Sequence, residues 1–385
     1  MSMNESTSPS LVGAGSTITG EAQVGLALAS DDAELRRLLR DNPMPGRFAL
    51  TLEREPSFFL AATIEGEVHQ TIVVREPGGQ RLRAMGSRSV RDAWVNGQSA
   101  RLGYLSQLRV DPEARDGLAI LDILEALETV KDVPFHITTI FENNASWRRT
   151  AERNWPGKPT FRPYGRVLSI VLPLWRRRRI PSPPGTEIRR GSAELLPDIA
   201  ACLQRNYAAY QFAPVWRVED LANPVRVRGL RPSDFWVALQ RGKLVGCLAT
   251  WDQRSFKQTV VQRYEGPAWR LRPLANLASR VTGWPRLPAP GEQLPHLYVS
   301  HLAIDDEDPH IFLSLLGSAY DHVVNTGYAY LALGLGENSP LVPKLRHAFW
   351  RIEQRIVLYV FHFEAGAHAA DALDDRRPHV ELALL

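Results

Sequence analysis

Cysteine is scarce in this chain: two in 385 residues, Cys202 and Cys247, with no metal or redox spacing around either. A disulfide framework is therefore excluded, and a reducing compartment is expected. Long apolar runs are missing as well. The longest, Val167 to Trp175, is strand-sized and contains Pro173, so no membrane partner is expected. The N-terminus lacks the basic start and apolar core of a signal peptide, which points to the cytoplasm. The histidines show no ligand spacing, so no metal site is expected. Charge of one sign is also lacking. A net charge of +4 from 46 basic and 42 acidic residues is too small to argue for nucleic acid and suits a small anionic ligand. Apolar content of 44% with 23% charged residues is that of an ordinary globular chain, long enough for two or three domains.

What the chain does contain is a repeat. Tyr104 to Val110 alternates like a strand and runs into Asp111-Pro112-Glu113-Ala114-Arg115-Asp116-Gly117, with a helix expected from Leu118. A strand end, an arginine and a glycine opening a helix present backbone N–H groups to a phosphate. The pattern Tyr-x-Ser-x-Leu-x-aliphatic returns at Tyr298 to Ile304, 194 positions later. At that distance it marks two copies of one domain rather than a solenoid. Three further landmarks recur in the same order. Ala33-Glu34-Leu35 matches Ala193-Glu194-Leu195, and Phe59 to Ala62 with Gly66 matches Phe235 to Ala238 with Gly242. Glu142-Asn143-Asn144 matches Glu337-Asn338-Ser339.

Residues 1–20, rich in Ser, Thr and Gly, read as a disordered tail. The first unit spans 21–174. A helix capped by Asp31 and Asp32 carries Leu35, Leu38 and Leu39 on one face. Phe58–Ile64 and Val68–Val74 read as strands. Arg83–Val95 and Gln98–Val110 flank Asn96-Gly97, a strong hairpin signal. Four antiparallel strands are thus expected before the turn. Leu118–Val130 reads as a helix, His136–Phe141 as a strand, and a short helix runs to Arg153. Thr160–Leu174 is expected to close the unit. Residues 175–185, four arginines followed by prolines, read as a solvated linker. In the second unit, 186–385, Leu244–Trp251 and Phe256–Tyr264 read as a long strand pair, a candidate substrate wall. Leu271–Val281 reads as an inserted helix in a stretch without counterpart in the first unit. The fold class expected is α+β, bordering on α/β: two units in tandem, each a mixed, mostly antiparallel sheet flanked by helices.

That order of elements resembles the GNAT superfamily of acyl-CoA-dependent N-acyltransferases. Leu108 to Ala119 is similar to the family's Leu-x-Val-x-Pro-Glu-x-Arg turn and its following Gly, with one residue fewer between Arg115 and Gly117. The resemblance implies acetyl-CoA or another acyl-CoA as cofactor. Leu108, Arg109 and Val110 would meet the pantetheine, and Arg115, Gly117, Leu118 and Ala119 the pyrophosphate. Asn144 resembles the family asparagine that faces the cofactor. The second unit's turn, Asp305-Asp306-Glu307-Asp308-Pro309, has four acids and no glycine and would repel a pyrophosphate. The reading is therefore an N-acyltransferase with its cofactor in the first unit and a small-molecule or peptide amine as acceptor. A non-catalytic acyl-CoA-binding or regulatory protein, and an aminoacyl-tRNA-dependent transferase, are the alternatives. Oligomerisation is left open.

The candidate catalytic residues are Tyr104, Glu142 and His301. Tyr104 stands where several members of that family carry a general base, and Glu142 follows a strand where a cleft opens. His301 is the best-placed histidine for a base. Each also has a structural reading, as core tyrosine, ion-paired carboxylate and core histidine respectively. Ser106 and Ser300 fail as nucleophiles on geometry, because His301 follows Ser300 directly and strand alternation sends it to the opposite face. Arg81, Arg83, Arg88 and Arg91 are read either as an attractor for phosphates or as a solvated strand face.

Overall fold

A computed structural model describes residues 23–385 except Pro45, Arg47, Gln80, residues 115–117, Lys131, residues 154–157 and Pro267, with the backbone alone at Leu118, Ser146 and Ala268. The tail expected at 1–20 lies outside the described residues. The first half runs β1 (Gln23–Leu26), α1 (Asp32–Arg40), β2 (Phe48–Glu53), α2 (Phe58–Ala62), β3 (Val68–Arg75), β4 (Leu82–Val95), β5 (Gln98–Val110), α3 (Leu118–Glu128), β6 (His136–Phe141), α4 (Ala145–Ala151) and β7 (Thr160–Pro173). The second runs β8 (Thr186–Arg190), α5 (Leu196–Tyr207), α6 (Val218–Ala222), β9 (Phe235–Gln240), β10 (Lys243–Trp251), β11 (Gln258–Tyr264), α7 (Ala268–Thr282), β12 (His296–Ile304), α8 (Pro309–Val323), β13 (Tyr330–Gly336), α9 (Leu341–Ala348), β14 (Ile352–His362) and α10 (Ala367–Asp371).

Strong local signals become the elements they announce. In α1, Leu35, Leu38 and Leu39 are buried at helical spacing. Asn96 and Gly97 both take positive φ, 51° and 74°, as a two-residue turn between β4 and β5 demands. Phe58–Ile64, expected as a strand, is instead the helix α2. Ser57 caps it by accepting from Phe59 N, and the Asp32 carboxylate accepts from Phe58 N at 2.9 Å. The helix buries Phe58, Ala61 and Ala62. A short apolar run suits either state, and here the cap decides. The match between Phe59–Ala62 and Phe235–Ala238 is thus a likeness of sequence between a helix and a strand.

Twelve strands form one sheet in the order β1-β3-β4-β5-β6-β14-β7-β13-β12-β10-β9-β8. Five strands precede the turn at residue 111, and the four in this sheet are antiparallel neighbours. β7 does not close the first half. Its partners are β13 and β14, both from the second half, while β14 pairs with β6 of the first. The last strand of each half is therefore exchanged into the other. The exchange is nearly two-fold symmetric: Glu142 N donates to Arg355 O and Glu337 N to Arg166 O, each at 3.0 Å. The expected pairing of β10 with β11 also fails. β11 crosses to β2 of the first half, Val261 opposite Leu50, as a separate two-stranded ribbon.

Apolar side chains of α8 and α9 cover the second half of the sheet, and α3 covers the first through Ala119, Ile123 and Leu127. Residues 174–185 form neither helix nor strand, but the segment is pinned. The Asp321 carboxylate accepts from the amides of Arg178 and Arg179, and Arg176 lies over the Trp175 ring at 4.1 Å.

Candidate functional site

The two strands that carry the organising motif part company. β5 and β6 run parallel for three residue pairs, Gly103–Leu105 against His136–Thr138, and both continue beyond. Gly103 is required at the joint, because a Cβ there would fall 2.1 Å from His136 Cδ2. Just past it β5 bulges. Gln107 takes φ of 52°, and the register against β4 slips between Met85 and Ser87. An extra residue re-aims the side chains after it and leaves backbone groups outside the ladder. Leu105, Leu108 and Val110 accordingly pack on the α3 side with Ala119 and Ile123. Arg109 lies toward the opposite, polar interior.

Three polar atoms on this strand end are buried without a hydrogen-bond partner among the described residues: Ser106 Oγ, Gln107 Oε1 and Arg109 Nε. Buried polar atoms are paired as a rule, and a run of open ones marks a place where something else binds. Among the described residues, Arg109 Nη1 donates only to the neighbouring Leu108 O, at 2.9 Å. Burial, with Arg54 close by, holds its guanidinium down at about 10. The residues themselves, from Ser106 to Val110, are half-buried.

Behind Arg109 lies a charged interior. Arg54 and Glu65, both buried, form an ion pair. Burial raises the Glu65 carboxyl, but Arg54, His69 and Lys257 together hold it below its ordinary value. Lys257 is half-buried, its Nζ donating to Ala383 O at 3.1 Å and Leu385 O at 2.6 Å. Burial, opposed by Glu65, lowers it to about 8. Tyr104 points into the same region, its hydroxyl 2.9 Å from Thr139 Oγ1. Burial pushes its phenol up to about 12. Of the arginines near β4, Arg88 is buried against Gln70 and Asp132, and Arg91 donates to Glu65 O at 3.1 Å. Neither forms a solvated face.

The second half repeats the geometry. β12 and β13 are parallel for three pairs, His296–Tyr298 with Tyr330–Ala332, and β12 bulges at His301 with φ of 51°. Pro378, His379 and Val380 line the pocket between the parting strands together with Leu302, Ala303 and Ile304. A Cβ on Gly334 would meet Val380 O at 2.7 Å. His301 is fully buried against Trp216, Phe235 and Trp251, with ring centroids 4.4 to 5.7 Å away. Burial drives its imidazole down to about 3. The bulge also breaks strand alternation, so Ser300 and His301 do not face apart: Ser300 Oγ lies 2.9 Å from His301 Nδ1. Both residues are 0% exposed, and no substrate reaches that hydroxyl.

The remaining candidates scatter. Glu142 pairs with Arg166 at 3.2 Å and Arg355 at 3.8 Å, on the wall of a cavity of about 320 Å³ that Gln354 and Asn143 also line. Asn144 caps α4, accepting from Trp147 N at 3.3 Å. Ala119 is packed in the core under α3. Arg115 and Gly117 lie outside the described residues, as does the side chain of Leu118. Leu108, Arg109, Val110 and Tyr104 share one strand; Glu142 and His301 stand elsewhere. Sequence reasoning passed over Arg54, Glu65 and Lys257, whose partners are 11 or more residues away. It also passed over the Gln107 bulge, for which the repeated position at His301 was the available signal.

A mixed sheet whose fourth antiparallel strand bulges and parts from a parallel neighbour, with a helix between them, is the arrangement of the GNAT fold. Solved structures agree. Saccharomyces cerevisiae N-myristoyltransferase with bound myristoyl-CoA and inhibitors is similar over 94% of this chain and 86% of its own, with a TM-score of 0.57 at 13% identity. A glucosamine N-acetyltransferase region of a fungal multi-domain β-N-acetylglucosaminidase is similar over 89% of this chain and 38% of that one, with a TM-score of 0.58 at 11% identity. At such identity the likeness concerns the fold. No protein-family model and no curated protein sequence matches the chain.

Proposed function

We propose that this protein is an acyl-CoA-dependent N-acyltransferase whose cofactor lies along the end of β5, in the first half alone. The observation that carries the reading is the group of open polar atoms at Ser106, Gln107 and Arg109, placed where two parallel strands part. The residues fit a pantetheine thioester. Its amides offer partners to Ser106 Oγ and Gln107 Oε1, and Leu108 and Val110 supply apolar wall. Arg115 and Gly117 are assigned to the pyrophosphate on the strength of the sequence. When bound, the cofactor supplies an acyl group activated as a thioester.

The chain's own part is placement and polarisation. Backbone groups freed at the bulge would polarise the thioester carbonyl, and the walls would hold an amine near it. Tyr104 keeps its proton at neutral pH, since its phenol is held near 12. It therefore serves as a hydrogen-bonding group rather than as a base. His301 and Glu142 take no part in this scheme. In the second half, the turn after the corresponding strand carries Asp305, Asp306, Glu307 and Asp308, acids that would repel a pyrophosphate, which supports a single cofactor per chain.

Calorimetric titration with acetyl-CoA, myristoyl-CoA and free CoA tests the reading. One site per chain for an acyl-CoA is expected, and the preferred chain length identifies the acyl class. A folded protein that binds none of the three would overturn it.

A further inference from the structure

The helix α7 is amphipathic the wrong way round. Its polar side turns inward: Arg272 Nε donates to Leu287 O and Pro288 O at 3.1 and 3.0 Å. Asn276 exchanges hydrogen bonds with the backbone of Leu287, at 3.0 and 2.8 Å. Its apolar side turns outward. Of the five most exposed large apolar side chains among the described residues, four are on this helix: Val281 at 91%, Leu274 at 65%, Leu277 at 60% and Leu271 at 56%. At 100° per residue, Leu271, Leu274, Leu277 and Val281 lie within one third of the helix circumference. A soluble surface helix has the reverse arrangement, and an exposed apolar face of this size marks an interaction site.

The surroundings state what the face meets. From Gly266 to Gly291 the sequence has four arginines and no acid, and Arg270, Arg280 and Arg286 are exposed. The end of α7 abuts residue 175, since a Cβ on Gly283 would fall 3.0 Å from Trp175 O. There Trp284 stacks between Trp175 and Trp350, at 5.4 and 4.8 Å. Arg176 and Arg177 are exposed beside them. Leucines facing out, tryptophans at one end and exposed arginines near both ends are the composition of a helix lying in the headgroup layer of an anionic membrane.

We infer that α7 and the adjoining tryptophan cluster dock this protein on an anionic phospholipid surface, with the apolar face of α7 set among the acyl chains. The apolar face inserts, and the arginines bind lipid phosphates.

The test is co-sedimentation of the full chain with vesicles of phosphatidylglycerol and phosphatidylcholine in equal parts, against phosphatidylcholine alone. Binding to the anionic vesicles, weakened by salt, is expected. Arg270→Gln with Arg280→Gln should weaken it roughly 20- to 30-fold at low salt, and Leu274→Asp with Leu277→Asp on the order of a hundredfold. Both pairs are on the exposed side and should leave folding and acyl-CoA binding unchanged. Equal sedimentation with both vesicle types, none with either, or variants that bind like the parent would overturn the inference. So would a dimer in analytical ultracentrifugation that Leu274→Asp with Leu277→Asp converts to monomer, since the face would then belong to a second copy.

Discussion

Gln107 and His301 hold the same backbone oddity 194 residues apart. Each is the left-handed extra residue of a bulge, with φ of 52° and 51°, on the strand that precedes the parting of two parallel neighbours. Their surroundings differ. Around Gln107 the strand end is half-buried; around His301, Ser300, Ala303 and Ile304 are buried, and residues 378–380 line the pocket beside the strand end.

Arg109 tests the first half. Replacing it by Met removes a half-buried cation whose one hydrogen bond among the described residues goes to the neighbouring Leu108 carbonyl. Arg109→Met should raise the melting temperature, because an underpaired, partly buried charge is costly. It should also weaken acyl-CoA binding by about tenfold or more, the loss expected of one charge-assisted contact. Unaltered affinity in calorimetry would remove Arg109 from the cofactor site.

His301 tests the second half. Its ring sits among three aromatic residues, and its Nε2 has no partner among the described residues. His301→Phe should cost about 1–3 kcal/mol in urea unfolding, because it leaves the buried Ser300 Oγ without the Nδ1 it meets at 2.9 Å. Turnover should stay at the parent level. A fall in kcat with an intact fold would restore His301 as a participant in the chemistry.

Gly103→Ala should be among the most damaging single substitutions, costing upwards of about 3 kcal/mol, because its Cβ collides with the His136 ring. The collision is specific. His136→Ala should therefore destabilise the Gly103→Ala protein much less than the parent, and a double-mutant cycle measures the difference.

Arg54→Met leaves the Glu65 carboxylate, fully buried, without its ion-pair partner, with Lys257 as the remaining cation acting on it. Removing one partner of such a pair costs about 3–5 kcal/mol. Adding Glu65→Gln should recover most of that loss. If both proteins unfold at one denaturant concentration, the two groups do not act as a pair.

Acid should unfold this protein early. Burial lowers His69, His136 and His379 to about 4 and His301 to about 3, so the unfolded chain takes up those protons first, near pH 6.5. Their contribution is complete above that pH and is lost toward pH 4, at up to about 1.4 kcal/mol per pH unit for each histidine. Glu381, raised to about 7 by burial, acts in the opposite sense: its contribution is complete below its ordinary value and lost as pH rises through 7. Four groups outweigh one. Urea midpoints should therefore fall steeply between pH 6 and 4, and the His301→Phe protein should fall less steeply.

Local chemistry was readable in the sequence wherever a residue type fixes a local conformation. The leucine spacing of α1, the Asn96-Gly97 turn, the β6 strand and the inserted α7 helix all follow from short-range rules. Pairing between distant segments was not readable. β7 and β14 have matching edges, and nothing in either sequence says which copy's strand each will join. β11 likewise pairs with β2 across more than two hundred residues. At the site, Leu108 to Val110 could be placed on a strand end. The bulge could not, because alternation counting assumes a period of two. That assumption set Ser300 and His301 apart when they touch.

The exchanged strands tie the stability of each half to the presence of the other. A chain severed between Trp175 and Gly185 would strand β7 with both its hydrogen-bonding edges bare, since β13 and β14 lie beyond the cut. β6 would lose β14 along one side as well. Neither half can therefore be removed without unmaking the sheet of the other.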